Sequence, residues 1–157
     1  MFAKSSRRLE LTQPQQLYDM KLKHPQMTAS VERQRSITWI GRWRPSELSD
    51  EYTIRIFYRQ GFRPKISILH PKLALADGKD RLPHVYGEGQ DDICVHRPEE
   101  WNKGMFIASA IMPWISQWLY FYETWVVTGK WLGKGTHPTR REHSDSAPDK
   151  PDPPRQG

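Results

Sequence analysis

The chain has 157 residues, with 24 Lys plus Arg against 18 Asp plus Glu, a formal net charge of +6, and a hydrophobic share of 36%. That length suits one domain, and the low hydrophobic share implies that part of the chain lies outside any core. A single cysteine excludes an internal disulfide framework and any multi-cysteine zinc site.

Met1 to Gln16 carries Lys4, Arg7 and Arg8 with no apolar run behind them, so it does not read as a secretory signal, and a cytoplasmic setting is expected. Thr12 is placed to cap a helix that begins at Pro14. Leu17, Met20 and Leu22 give that helix a partial apolar stripe, and Pro25 stops it. Three alternating runs follow: Ser36 to Trp43, Tyr52 to Tyr58 and Lys65 to His70. The second is the clearest, with Ile54 and Ile56 on one face. Short spacing between them predicts an antiparallel meander.

Pro71 to Gln90 reads as loop, with Gly78, Pro83, Gly87 and Gly89. A short apolar patch, Asp91 to His96, holds Cys94 and ends at Arg97-Pro98. From Met105 to Val127 the chain is strongly apolar. Ile107, Ile111, Trp114, Trp118, Phe121 and Trp125 recur at helical spacing. Pro113 is expected to divide this stretch into two helices, and Gly129 to end the second. The stretch is long enough to span a bilayer. Ser109, Pro113, Ser116, Gln117, Glu123 and Thr124 speak against that, as do three tryptophans and two tyrosines, which prefer the membrane interface. No membrane partner is expected. The last 22 residues, Thr136 to Gly157, hold five prolines and no large apolar residue, and are expected to be a disordered tail. The expected organisation is a domain over residues 1–135 and a tail over 136–157.

Charge and aromatics are segregated. Residues 1–70 hold 13 basic and 6 acidic side chains, a net of +7, while Trp101, Trp114, Trp118, Trp125 and Trp131 crowd the second half. Arg42, Arg44, Arg55, Arg59, Arg63 and Lys65 interleave with Trp39, Trp43, Tyr52 and Tyr58. That pattern suits a stacking platform for single-stranded nucleic acid, a solvated sheet face or a docking surface for an acidic protein. The six histidines form no short metal-ligand pair, no metal is expected, and no nucleotide-binding motif is visible.

Cys94 has a plain reading as a small buried hydrophobe between Ile93 and Val95. The shortness of its patch, the flanking loops and the polar neighbours Asp91, Asp92, His96 and Arg97 point instead to an available thiol. An extended patch would put Cys94 and His96 on one face, about 6.6 Å apart, too far for a hydrogen bond unless the chain bends. Asp91 and Asp92 would disfavour a thiolate beside them.

The run from Arg63 resembles a ubiquitin-conjugating enzyme. Pro64-Lys65-Ile66 resembles the end of that family's meander, His84 stands at the histidine of its His-Pro-Asn tripeptide, Cys94 lies ten residues on, and Trp101 follows. Val85 and Tyr86 replace the tripeptide's proline and asparagine. Pro113-Trp114, Trp118-Leu119, Tyr122-Glu123, Trp125, Thr128-Gly129, Trp131 and the segment Gly133 to Pro138 resemble the bacterial conjugating-enzyme-like proteins of anti-phage CBASS operons. The resemblance implies an α+β ubiquitin-conjugating-like fold: an N-terminal helix, a four-stranded antiparallel meander and C-terminal helices. It implies that Cys94 takes the C-terminus of a cGAS/DncV-like nucleotidyltransferase as a thioester and passes it to a lysine, regulating cyclic-oligonucleotide synthesis, with no cofactor. Charging would come from a separate activating enzyme, or from attack on a peptide bond with His84 or His96 as base or acid. Tyr86 would stand in for the oxyanion-stabilising asparagine. Asp91, Asp92 and Glu88 would steer the incoming lysine, and Trp101 would support the site. A non-catalytic docking module of the same fold is the alternative. With this resemblance, nucleic acid is not the expected partner.

Overall fold

The computed structural model describes residues 9–33 and 35–133. Its elements run α1 (Gln13–Lys23), β1 (Thr28–Glu32), β2 (Ser36–Trp43), β3 (Tyr52–Arg59), β4 (Lys65–His70), β5 (Val85–Tyr86), β6 (Asp92–Ile93), a short 3-10 turn (Pro98–Glu100) and α2 (Ile107–Thr128). The expected tail, residues 136–157, and most of the Gly133 to Pro138 segment lie outside the described residues.

Helix α1 starts where the sequence predicts. The Thr12 hydroxyl accepts from the Gln15 N–H, and the Gln15 side chain accepts from the Thr12 N–H, a reciprocal cap. Strands β1 to β4 pair in chain order as an antiparallel meander. In register, Trp39 faces Ile56 and Gly41 faces Ile54. Ile37, Trp39, Tyr52, Ile54, Ile56, Tyr58 and Ile66 turn to the buried face. The opposite face holds Thr38, Ile40, Arg42, Arg55, Phe57 and Arg59, each half-buried or exposed. Gly41 is required by close approach: a Cβ there would come within 2.6 Å of the Gln26 carbonyl.

A nucleic-acid stacking platform is not formed. Trp39, Tyr52 and Tyr58 are core residues, and Trp43 is half-buried, its indole N–H donating to the Ser116 hydroxyl at 2.8 Å. Arg42, Arg55 and Arg59 stand on the far side of the same strands because side chains alternate faces, while Arg44 and Arg63 lie outside the strands.

Two further expectations are corrected. The stretch holds one helix, not two: α2, Ile107–Thr128, runs through Pro113. Proline deprives the Ser109 carbonyl of a helical partner, yet Pro113 and Ser109 are both exposed, where water can satisfy that carbonyl. Gly129 then ends α2 in the left-handed region, φ 73°, with its N–H bonded to the Trp125 carbonyl. The loop expected over Pro71 to Gln90 contains β5, which pairs with β6 as a separate two-stranded sheet.

Ile107, Ile111, Ile115, Leu119, Tyr122 and Trp125 of α2 join the inner sheet residues in a single core. Two polar anchors set the helix in place. Gln16, 1% exposed, donates to the Met105 carbonyl at 2.9 Å and accepts from the Ile107 N–H at 3.0 Å. Glu123 accepts from Ser49 and Tyr52 hydroxyls, each at 2.9 Å, and from the Asp50 N–H, tying α2 to the β2–β3 loop. No helix among the described residues is long and apolar enough to cross a membrane.

Candidate functional site

Cys94 follows β6 directly and is half-buried. Its N–H donates to the His84 carbonyl at 2.8 Å, which extends the β5–β6 pairing by one step. The same carbonyl accepts the Trp118 indole N–H at 3.1 Å. One oxygen thus ties the cysteine strand to α2. His84 presents it from a left-handed backbone conformation, φ 48°, which is uncommon for a side-chain-bearing residue.

Among the described residues the thiol has two hydrogen-bond partners. Sγ lies 3.2 Å from the Tyr86 hydroxyl and 3.4 Å from the His96 carbonyl. As a thiol it donates; as a thiolate it accepts from Tyr86, whose phenol is pushed above its ordinary value by burial and then by the bond to Cys94. Tyr86 is therefore a protonated donor at neutral pH. The thiol is itself pushed up, chiefly by burial, while the Tyr86 bond, the Arg63 charge and the His96 backbone work in the opposite direction. Burial wins, so the resting group is a neutral thiol at neutral pH.

Behind Tyr86 stands a residue that sequence reasoning did not single out for the site. The Arg63 guanidinium lies 3.9 Å from the centre of the Tyr86 ring. It also pairs with Asp92, Nη2 to Oδ2 at 2.6 Å. Asp92, with its side chain 2% exposed, accepts the Ile66 N–H at 3.2 Å as well, joining β6 to β4. The expectation that Asp92 steers an incoming lysine gives way to this structural pairing. Its carboxylate is enclosed and neutralised, and it opposes the thiolate only as the last of the contributions on Cys94. Asp91 and Glu88 remain at the surface, Asp91 in a 3.4 Å ion pair with Lys65.

The two histidines meet Cys94 through their backbone. The chain bends at His96, and its imidazole turns inward, with ring centres 5.3 Å from Trp114 and 6.4 Å from Trp101. Nδ1 lies 2.6 Å from the Arg97 carbonyl. Burial holds this imidazole below its ordinary pKa. Neither imidazole is a hydrogen-bond partner of the sulfur. His84 lies with its ring 5.0 Å from that of Trp131. Trp101 also meets Tyr58 edge-on at 6.3 Å, which links the site to β3. Among the described residues no cluster of His, Cys, Asp or Glu is arranged to hold a metal ion.

No curated protein matches the chain. A family model does, over residues 16–138, and its description is Type II CBASS E2 protein. The matched span begins inside α1 and takes in every strand, Cys94 with its surroundings and the whole of α2. The cysteine hairpin and the aromatic helix that supports it are thus parts of one inherited unit, and the chain belongs to the Type II CBASS E2 family.

Proposed function

We propose that this protein is a cysteine acyltransferase of ubiquitin-conjugating-like fold, acting on a cGAS/DncV-like nucleotidyltransferase of its CBASS system. Cys94 Sγ attacks the carbonyl carbon at the partner's C-terminus. A C–S bond forms, and the bond to the leaving group breaks: a thiol sulfur when a separate activating enzyme has charged the partner, or an amine when a peptide bond is opened; in either case the leaving group takes up the proton that Cys94 gives up. A lysine ε-amine then attacks the thioester and loses a proton. The C–S bond breaks and the cysteine is restored.

The observation that carries this reading is the Tyr86 hydroxyl at 3.2 Å from the sulfur. Both steps pass through a tetrahedral intermediate with negative charge on oxygen, next to the sulfur. A protonated donor at that place, in a partly enclosed site, favours the charged intermediate. Asp91 and Glu88, at the surface, carry charge of the sign that attracts an ammonium.

The test is incubation of the protein with the synthase, followed by denaturing gels and intact mass spectrometry. The expected product is an adduct sensitive to reducing agent, absent for Cys94→Ala and replaced by a stable oxyester for Cys94→Ser. An adduct that persists in Cys94→Ala overturns the mechanism. Phage protection undiminished by Cys94→Ala assigns the chain as a docking module instead.

A further inference from the structure

Three groups from three separate stretches converge behind the thiol: Arg63 from the β3–β4 turn, Tyr86 from β5 and Asp92 from β6. The guanidinium makes two different contacts with two different geometries. One is in the plane of its fork, to the Asp92 carboxylate at 2.6 Å and 3.4 Å. The other is to its face, where the Tyr86 ring lies 3.9 Å away. Arg63 further donates to the Pro64 carbonyl at 3.2 Å, which holds the head group to its own turn. Asp92 is buried and bonded to the backbone of β4, so it is a fixed point. A guanidinium held in plane by a fixed carboxylate presents a fixed flat surface, and a ring resting on that surface is fixed in turn.

We propose that Arg63 is a positioning residue of the Cys94 site, a clamp that carries the rigidity of the Asp92 anchor to the Tyr86 ring and so holds the phenol hydroxyl against the sulfur. This rests on the reading of Cys94 as the nucleophile. Lysine at this place would keep the charge and the pairing with Asp92, but an ammonium has no face for the ring to rest on. The distinction between charge and shape is therefore open to measurement.

The protein's single cysteine makes the measurement direct. Alkylation of the full chain by iodoacetamide is followed across pH; among the described residues Arg63 and Asp92 are the charges that act on the thiol, with the Tyr86 phenol and the backbone of His96 bonded to it and Asp91 and Glu88 at the nearby surface. In Tyr86→Phe the profile moves to higher pH and the rate near pH 8 falls about fivefold, since a donor to the thiolate is gone. Arg63→Lys shows a shift of similar size despite its retained charge, and the double variant shifts no further than either single one. An Arg63→Lys profile that matches wild type, a Tyr86→Phe profile that matches wild type, or additive shifts in the double variant overturns the proposal.

Should Arg63→Lys fail to fold, NMR of the Tyr86 ring carries the test, with Asp92→Asn loosening the guanidinium. Slow ring flipping in wild type that becomes fast in Asp92→Asn supports the clamp; the same flipping in both proteins overturns it. Neither readout needs the synthase. A failure to form the adduct with these results intact sinks the acyl-transfer reading alone, and the converse result sinks the clamp alone.

Discussion

In the body of the molecule, isoleucines and tryptophans from β2, β3, β4 and α2 meet with exposures of a few percent or less. Between residues 71 and 106 the buried apolar side chains are sparser, and two-residue strands are held by named polar contacts: Arg63 to Asp92, Trp118 to the His84 carbonyl, Tyr86 to Cys94. Apolar burial is non-directional and tolerates small shifts. Hydrogen bonds are directional and fail within tenths of an ångström. The body thus supplies stability, while the cysteine segment supplies placement. Changes in the two regions are expected to act on different observables.

The largest effect is expected in the body. Ile111→Ala, at a fully buried position, should lower unfolding free energy by about 2–5 kcal/mol in denaturant titration, with the slope unchanged. A loss below about 1 kcal/mol would mean that α2 does not share the sheet's core. Next comes Asp92→Ala, which leaves a guanidinium and the Ile66 N–H without their acceptor. Arg63 is one-third exposed and keeps some water, so the cost should be about 2 kcal/mol. Hydrogen exchange separates the regions: Ile66 should lose protection while Ile54 keeps it. Equal loss at both would erase the distinction between body and segment.

Trp118→Phe keeps most of the ring but deletes the donor to His84. It should cost about 1 kcal/mol and speed alkylation of Cys94 as the hairpin loosens. The smallest effect is expected from pH. Burial, the dominant influence, depresses the His96 pKa in the folded state. The stability tied to the neutral ring is therefore present above the ordinary imidazole value of about 6.5 and lost as pH falls through the folded value. Unfolding free energy should be lower near pH 5.5 than near pH 7.5, and His96→Gln should narrow that difference. An unchanged difference would show that other groups set the acid response.

Strands β3 and β4 were legible because Ile54, Ile56, Ile66 and Ile68 mark one face at period two, and β2 more faintly through Ile37 and Trp39. Strand β1 left no such mark, since all five of its residues are exposed at the sheet edge. Pro113 misled because its effect depends on where the freed carbonyl points, and on α2 that side is exposed. Helical spacing located α2, but the core follows Ile115, Leu119 and Tyr122, while Trp114 and Phe121 are only half-buried. At the site, Cys94 stood out as the single thiol among loops and polar neighbours, and Tyr86 only through the resemblance of His84-Val85-Tyr86 to the family tripeptide. Arg63 did not, because its local context, Phe62-Arg63-Pro64, reads as a turn and its partner Asp92 is 29 residues away. The inward turn of His96 depends on Trp101 and Trp114, contacts that alternation along one strand does not encode.

Gln16 bears on the order in which the molecule assembles. The first turn of α2 takes its cap from a side chain 91 positions earlier in the chain. During synthesis α1 emerges long before its client, and α2 on reaching water has no local residue to close its first N–H groups: Phe106, at the cap position, makes no side-chain bond. The apolar helix can complete its start only by docking on α1. A chain deprived of α1, or carrying Gln16→Leu, would keep the sheet but leave that turn frayed. The fraying would begin six residues after Trp101, so an amide far from Cys94 helps decide when the cysteine segment acquires its shape.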